Sequence, residues 1–341
     1  MSRVRRTTPP IMRNRARSIF GRSAKPRRCH EPKAKNTGSM RLCLMMERPQ
    51  EERKMATRYN PGNQFEIKTW DIEFRKTPTR MLLARIYQPQ GEGPFPTLLD
   101  LHGGAWNNQD RTANQPMDEN LAKSGILVVA IDLTRAPEAP YPASVQDANY
   151  GVRWLKARAR EWNGDPATVA ALGSSSGGHE IELVAMRPHD PRYKAHPLPE
   201  APHLDATLPF VVARSPVSDP FARFQQAERR QWAEMIQNSK NYFKPWDTIH
   251  EGNPQKILER GEKVALPPLY ILQGELDDNV LPSVQEKFVA TYRAAGGECE
   301  FEIFKNCEHR WVAKPGPGTE RAYVQIKDFI ARQLKAQRLA A

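Results

Sequence analysis

No apolar run in the 341 residues is long enough to span a membrane or to form the core of a secretory signal. Cysteine is scarce. Cys29, Cys43, Cys299 and Cys307 are the four present, and their spacing fits neither a zinc site nor a disulfide framework. A reducing, cytoplasmic setting is the expectation, with Cys307 an ordinary packed thiol. His189, His196, His203 and His250 stand in polar loops without ligand spacing, so neither a metal nor a cofactor is expected. Acidic residues are short in one stretch only. Residues 1–54 carry 16 Lys and Arg against 4 Asp and Glu, which accounts for the whole net charge of +12; the remainder is balanced at 35 of each. That stretch has no sustained apolar periodicity and cannot bury enough surface to offset the entropy of ordering it. It reads as a disordered tail that binds polyanions, or targets the chain, or precedes a natural start at Met55; the last is the reading adopted. Nucleic-acid binding rests on the tail alone and is not expected of residues 55–341.

Beyond the tail, strand and helix patterns alternate. Phe65–Phe74 alternates apolar and polar residues, with Arg80–Tyr87 as its hairpin partner. Short apolar strands follow at Pro96–Leu101, Ile126–Leu133, Pro166–Leu172, Leu208–Ala213, Leu266–Gln273 and Glu300–Phe304. Helical patterns separate them near Met117–Ser124, Ser144–Glu161, Glu180–Met186 and Ser283–Ala295, and a last one runs over Glu320–Leu339. This order predicts one α/β domain, a mostly parallel sheet with crossover helices on both faces. From about Phe221 to Gly261 the pattern changes to charged helical segments punctuated by Phe224, Trp232, Tyr242, Phe243 and Trp246.

Two glycine-rich stretches stand at strand ends. In Gly173-Ser174-Ser175-Ser176-Gly177, only Ser175 has glycine two residues before and two after. A strand turning straight into a helix around Gly-x-Ser-x-Gly forces the central hydroxyl out of the sheet, which makes Ser175 a candidate nucleophile. Taken alone, the stretch could equally be a helix-capping loop. His102-Gly103-Gly104-Ala105-Trp106 ends another strand. Glycines there let the backbone approach a substrate, and amides released from the ladder can stabilise an oxyanion.

His-Gly-Gly-x-Trp, then Arg135-Ala136-Pro137-Glu138-x-Pro140-Tyr141-Pro142-Ala143, then Gly-x-Ser-x-Gly-Gly-His occur in this order. Together they resemble the hormone-sensitive-lipase-like and carboxylesterase branch of the α/β-hydrolase superfamily, over about Leu98–Arg187 and again at the C-terminus. His-Gly-Gly-x-Trp is also similar to arylformamidase and feruloyl-esterase-like relatives. Ala105 departs from the usual third glycine, and Ser174 and Ser176 flank the nucleophile where Asp and Ala are more usual.

The resemblance implies an α/β-hydrolase fold with a small helical cap at about 221–261. It implies a triad in chain order, Ser175, then an acid after a late strand, then His309 after the last one. Asp277 is the acid chosen and adjacent Asp278 the runner-up. The oxyanion hole falls to the amides of Gly104, Ala105 and Ser176, with Gly103 permitting the turn. His102 and His179 read as structural, and Glu138 and Asp147 as loop and helix anchors. Trp106, Trp232 and Trp246 are candidate pocket residues, though most aromatics of the insertion are expected to fasten it to the body. The activity implied is a serine carboxylesterase on a small-molecule ester. An amide or formamide hydrolase, a peptidase, or a ligand-binding module that has lost catalysis are the alternatives.

Overall fold

The computed structural model describes residues 59–340. The tail expected over 1–54, and the expected domain start at Met55, lie outside these residues. Eight strands form one sheet: β1 Ile67–Lys76, β2 Met81–Pro89, β3 Thr97–Leu101, β4 Leu127–Ile131, β5 Ala170–Ser174, β6 Val211–Arg214, β7 Leu269–Gly274 and β8 Cys299–Phe304. Their spatial order is β1-β2-β4-β3-β5-β6-β7-β8. β1 pairs antiparallel with β2, and β2 antiparallel with β4, while every pair from β4 to β8 is parallel. The helices are α1 Gln115–Lys123, α2 Ala143–Arg158, α3 Ser176–Met186, α4 Pro220–Arg229, α5 Ala233–Tyr242, α6 Thr248–Glu251, α7 Pro254–Glu259, α8 Pro282–Ala294 and α9 Pro317–Ala340.

The continuous apolar strands are explained by burial on both faces. Successive side chains of a strand point to opposite sides of the sheet. Leu99, Val129, Ala171, Ala213 and Ile271 accordingly enter one core with residues of α2, α3 and α8. Their neighbours Leu98, Val128, Leu172, Val212 and Tyr270 enter a second core with α1 and α9. This is the α/β-hydrolase architecture, with α4 to α7 inserted between β6 and β7. None of the helices among the described residues is long and apolar enough to cross a membrane.

Two local expectations are corrected. The strand expected over Pro166–Leu172 begins later and runs further. Asp165 caps a 3₁₀ turn at Pro166–Thr168 by accepting from the Ala167 amide at 3.0 Å, and β5 then spans Ala170–Ser174. The segment after the elbow is buried on every side, rather than amphipathic. It packs between the sheet, α2 and α7, so its two glutamates are carried into the interior.

Glu182 shows what that costs. Its Oε1 accepts from the Ser218 hydroxyl at 2.9 Å, and its Oε2 has no partner. Burial raises its pKa to about 8, with the Ser218 hydrogen bond opposing. The native state therefore holds a proton that the unfolded chain, with its carboxyl near 4.5, releases across that interval. Stability is lost as pH rises through this window. In thermal melts from pH 5 to 9, Glu182→Gln is expected to flatten the fall in Tm by a few degrees, since 1 kcal/mol is worth roughly 2–4 °C at this size. An unchanged pH slope would refute the buried protonated state.

Candidate active site

All the parallel strands deliver their C-terminal ends to one edge of the sheet, and the loops that follow β3, β5, β6, β7 and β8 meet there. Ser175 follows β5 directly with φ 53° and ψ −114°, an expensive conformation for a residue with a Cβ. Three hydrogen bonds over-determine it. Its amide donates to the Arg214 carbonyl at 2.9 Å, and its carbonyl accepts from the amides of Val217 and His179, each at 3.1 Å. The flanking glycines have no room for side chains. A Cβ at Gly173 would lie 2.5 Å from the Gly177 carbonyl oxygen, and one at Gly177 would lie 2.3 Å from the Leu101 carbonyl oxygen.

The structure brings Ser175, His309 and Asp277 into one hydrogen-bonded line. His309 Nε2 is 2.9 Å from Ser175 Oγ, and Nδ1 is 2.7 Å from Asp277 Oδ2. With Nδ1–H donating to the carboxylate, Nε2 presents its lone pair to the hydroxyl. Asp277 is buried. Its Oδ1 accepts from the Asn279 and Val280 amides at 3.0 and 2.8 Å, and its Oδ2 also accepts from Gln273 Nε2 at 3.0 Å. Burial pushes this carboxyl up, but the hydrogen bond and charge of His309 and the backbone amide outweigh it and hold its pKa below the ordinary value. Burial drives the His309 pKa below 6.5, aided by the Arg214 and Arg223 charges and opposed by Asp277. Asp278 turns the other way: its side chain is 67% exposed and pairs with Arg230 at 2.8 Å.

Across from the imidazole, Gly104, Ala105 and Trp106 have φ of 108°, 51° and 62°. This tight reversal is closed by the Asn107 and Asn108 amides, which donate to the Gly104 carbonyl at 3.1 and 3.0 Å. A Cβ at Gly103 would stand 3.2 Å from Ser175 Cβ, so the loop rests against the serine itself. Gly103, Gly104, Ala105, Ser175 and His309 share the wall of a cavity of about 910 Å³. Ser176 is buried beneath it at the first position of α3, where helix geometry leaves amide hydrogens without intrahelical acceptors.

Of the three tryptophans, only Trp232 is at the cavity. Trp106 is buried beside it, stacked on Tyr242 at 4.7 Å with 3° between the planes, its Nε1 donating to His179 Nδ1 at 3.2 Å. His179 Nε2 donates in turn to the Gly252 carbonyl at 2.7 Å, so this histidine is fully used as a spacer. Trp246 packs on Phe224 along a separate groove. His102 Nδ1 donates to the Gly103 carbonyl at 2.7 Å. Glu138 takes Arg80, and Asp147 takes Arg75 and the Thr134 amide. Sequence reasoning missed Arg214 and Arg223, which also line the cavity. Arg214 ends β6, a position whose equivalents on β5 and β7 lead into site residues, and that was the available signal. Its Nε donates to Ser174 Oγ at 3.1 Å and its Nη1 to the His309 carbonyl at 2.9 Å, tying the elbow to the histidine loop. Among the described residues no cluster of His, Cys, Asp and Glu could hold a metal ion.

The BD-FAE family model matches residues 85–291, more than half of the chain. The chain belongs to the BD-FAE family. This is a family of α/β-hydrolases of the hormone-sensitive-lipase-like and carboxylesterase kind. Among curated relatives, it is 28% identical over 200 residues to the probable carboxylic ester hydrolase LipM of Mycobacterium tuberculosis, covering 57% of this chain and 44% of that one. It is 25% identical over 281 residues to the esterase LipQ of the same organism, covering 79% and 63%. The chain thus spans about half the length of these two relatives. Among solved structures, esterase B from Lactobacillus rhamnosis superposes with a TM-score of 0.68 at 18% identity, over 85% of this chain and 92% of that one, a likeness of fold.

The hydrogen-bonded line in this BD-FAE member can be checked without any substrate. In NMR titrations His309 is expected to titrate below 6.5 in the wild type and lower still in Asp277→Asn, because removing the carboxylate removes what favours the imidazolium. Asp278→Asn is expected to leave the titration in place. A His309 pKa that follows Asp278 would reverse the assignment.

Proposed function

We propose that this protein is a serine esterase that cleaves small carboxylic esters through an acyl-enzyme on Ser175. The observation that carries the reading is the unbroken line from Asp277 through His309 to Ser175 Oγ, opening on a cavity. The names of the curated relatives, carboxylic ester hydrolase and esterase, support it.

A serine hydroxyl is a poor nucleophile until a base removes its proton. In the proposed reaction, Oγ attacks the ester carbonyl while its proton passes to His309 Nε2. Asp277 holds the imidazole in the required tautomer and stabilises the imidazolium that forms. The electron pair of the carbonyl moves to its oxygen, which the amides of Gly104, Ala105 and Ser176 receive; each such donor is worth about 2.7–4 kcal/mol of barrier in enzymes where one has been removed. As the oxyanion collapses, the C–O bond breaks and His309 gives its proton to the departing alcohol. Water then enters, loses a proton to His309, and attacks the acyl carbon, and Ser175 leaves with that proton restored. Helices α4 to α7 act as a cap over this chemistry.

Because His309 must be unprotonated to act, kcat/KM is expected to rise with pH through a midpoint below 6.5 and then level off. With a p-nitrophenyl ester series, Ser175→Ala should abolish turnover, and Asp277→Asn should lower kcat on the order of 10⁴-fold, as loss of the orienting carboxylate does in other triads. Asp278→Asn should stay within a few-fold of wild type. A folded protein that neither turns over any ester nor reacts with an organophosphonate at Ser175 would sink the proposal. Faster cleavage of an anilide than of the matching ester would replace it with an amidase.

A further inference from the structure

Arg223, on α4, is 4% exposed and lines the cavity onto which Ser175 opens. Its partners are all neutral. Nε donates to Asn279 Oδ1 at 2.8 Å, Nη2 faces the Met235 sulfur, and the guanidinium lies over the Trp106 ring at 5.2 Å. Nη1 is buried with no partner. Among the described residues no carboxylate stands within ion-pair distance of this cation. Burial lowers its pKa to about 10, with Asp277 opposing from further off, so it is charged at neutral pH.

Burying a charge without a counter-charge is costly, and chains do not ordinarily bear it without use. The usual compensation, a carboxylate, is what this site lacks. A guanidinium held flat by an amide oxygen and an indole face has its fork preset for two parallel hydrogen bonds to one anion. The acidic side chains near the mouth do not fill that role. Asp278 is drawn off by Arg230, Glu234 is exposed on the first turn of α5 and makes no ion pair with Arg223, and Glu308 is exposed to water and faces Lys314 at 3.7 Å.

We propose that Arg223 is the specificity-determining residue of this cavity, and that the substrate is an ester bearing a carboxylate, in its acyl or its alcohol part, which Arg223 binds. The substrate carboxylate takes Nη1 and displaces the weakly accepting Met235 sulfur from Nη2. Thioethers are poor acceptors on flexible stems, so Met235 yields readily. This inference rests on the esterase reading of the same site.

The test compares matched esters by proton release at constant pH. Monoethyl adipate is set against ethyl hexanoate for an acyl-side carboxylate, and acetoxyacetate against ethyl acetate for an alcohol-side one. The wild type is expected to prefer the anionic member of at least one pair about tenfold or more in kcat/KM. Arg223→Gln should collapse that ratio, and Arg223→Lys should restore part of it. A second readout needs no variant at 223: adipate should inhibit wild-type hydrolysis of ethyl hexanoate competitively and more strongly than the uncharged adipamide. Ser175-dependent turnover of the neutral esters with no anionic preference, a preference that survives Arg223→Gln, or equal inhibition by adipate and adipamide would each overturn the proposal. Absence of Ser175-dependent turnover on all four esters would instead overturn the esterase reading.

Discussion

Everything at this site depends on a contact that leaves no room for a methyl group. The elbow after β5 is pressed against the end of β3 so closely that a Cβ on Gly177 would sit 2.3 Å from the Leu101 carbonyl oxygen and 2.4 Å from that of His102. Those distances lie far inside van der Waals contact, so no rotamer change could relieve them. The interlock fixes Ser175 relative to the Gly103–Ala105 loop before any side chain is considered. Geometry good to a fraction of an ångström is what the proposed oxyanion stabilisation requires, and backbone packing of this kind is able to supply it. The strain at Ser175 is tolerable because backbone hydrogen bonds from β6, its following loop and α3 all close on that one residue.

Electrostatics then divides the buried charges by how they are satisfied. Asp277 is surrounded by donors: two backbone amides, the Gln273 amide and His309. It stays ionised despite burial because those donors outweigh desolvation. Glu182 has one hydroxyl donor and an idle oxygen, desolvation wins, and it is held protonated. The two carboxyls differ in environment rather than in chemistry, and that difference sets their charge states. Arg223 falls on the unsatisfied side with Glu182, but a guanidinium cannot shed its proton to escape, which is why its charge remains available in the cavity.

Much of this was legible in the sequence, and the reason is that glycine and strand-end positions encode backbone demands directly. Gly173 and Gly177 around Ser175, and Gly103 and Gly104 after β3, mark places where side chains would collide. The two-sided burial of the sheet was readable from the unbroken apolar strands. Trp106 and Trp246 were not readable, because an aromatic near a site looks the same in sequence whether it faces the cavity or pins the insertion down. Trp106 does the latter: its ring stacks on Tyr242 and its N–H is spent on His179. Arg223 was invisible for a related reason, and Arg214 was marked only by its place at the end of β6. Charged residues on a helix or at a strand end are usually solvated, and only tertiary packing reveals that Arg223 is buried with neutral partners.

The opposite orientations of Asp277 and Asp278 show how the insertion reaches into the site. Asp277 turns inward to His309, while Asp278 turns outward, with both its carbonyl and its carboxylate taken by Arg230 at the end of α4. One residue further, Asn279 gives its amide to Asp277 and its side-chain oxygen to Arg223. Two arginines of the insertion therefore grip the acid loop on either side of a single peptide, and alternate residues are pulled in opposite directions. The orientation of Asp277, the acid of the proposed triad, is set jointly by β7, from which its loop springs, and by α4, which is not part of the sheet at all. Through Asn279, whose backbone amide serves Asp277 and whose side-chain oxygen serves Arg223, the carboxylate bonded to His309 and the cation proposed to read the substrate share one residue. A substrate carboxylate arriving at Arg223 would bear on the same loop that holds Asp277, so the proposed recognition and the proposed catalysis would be linked through one short run of covalent chain.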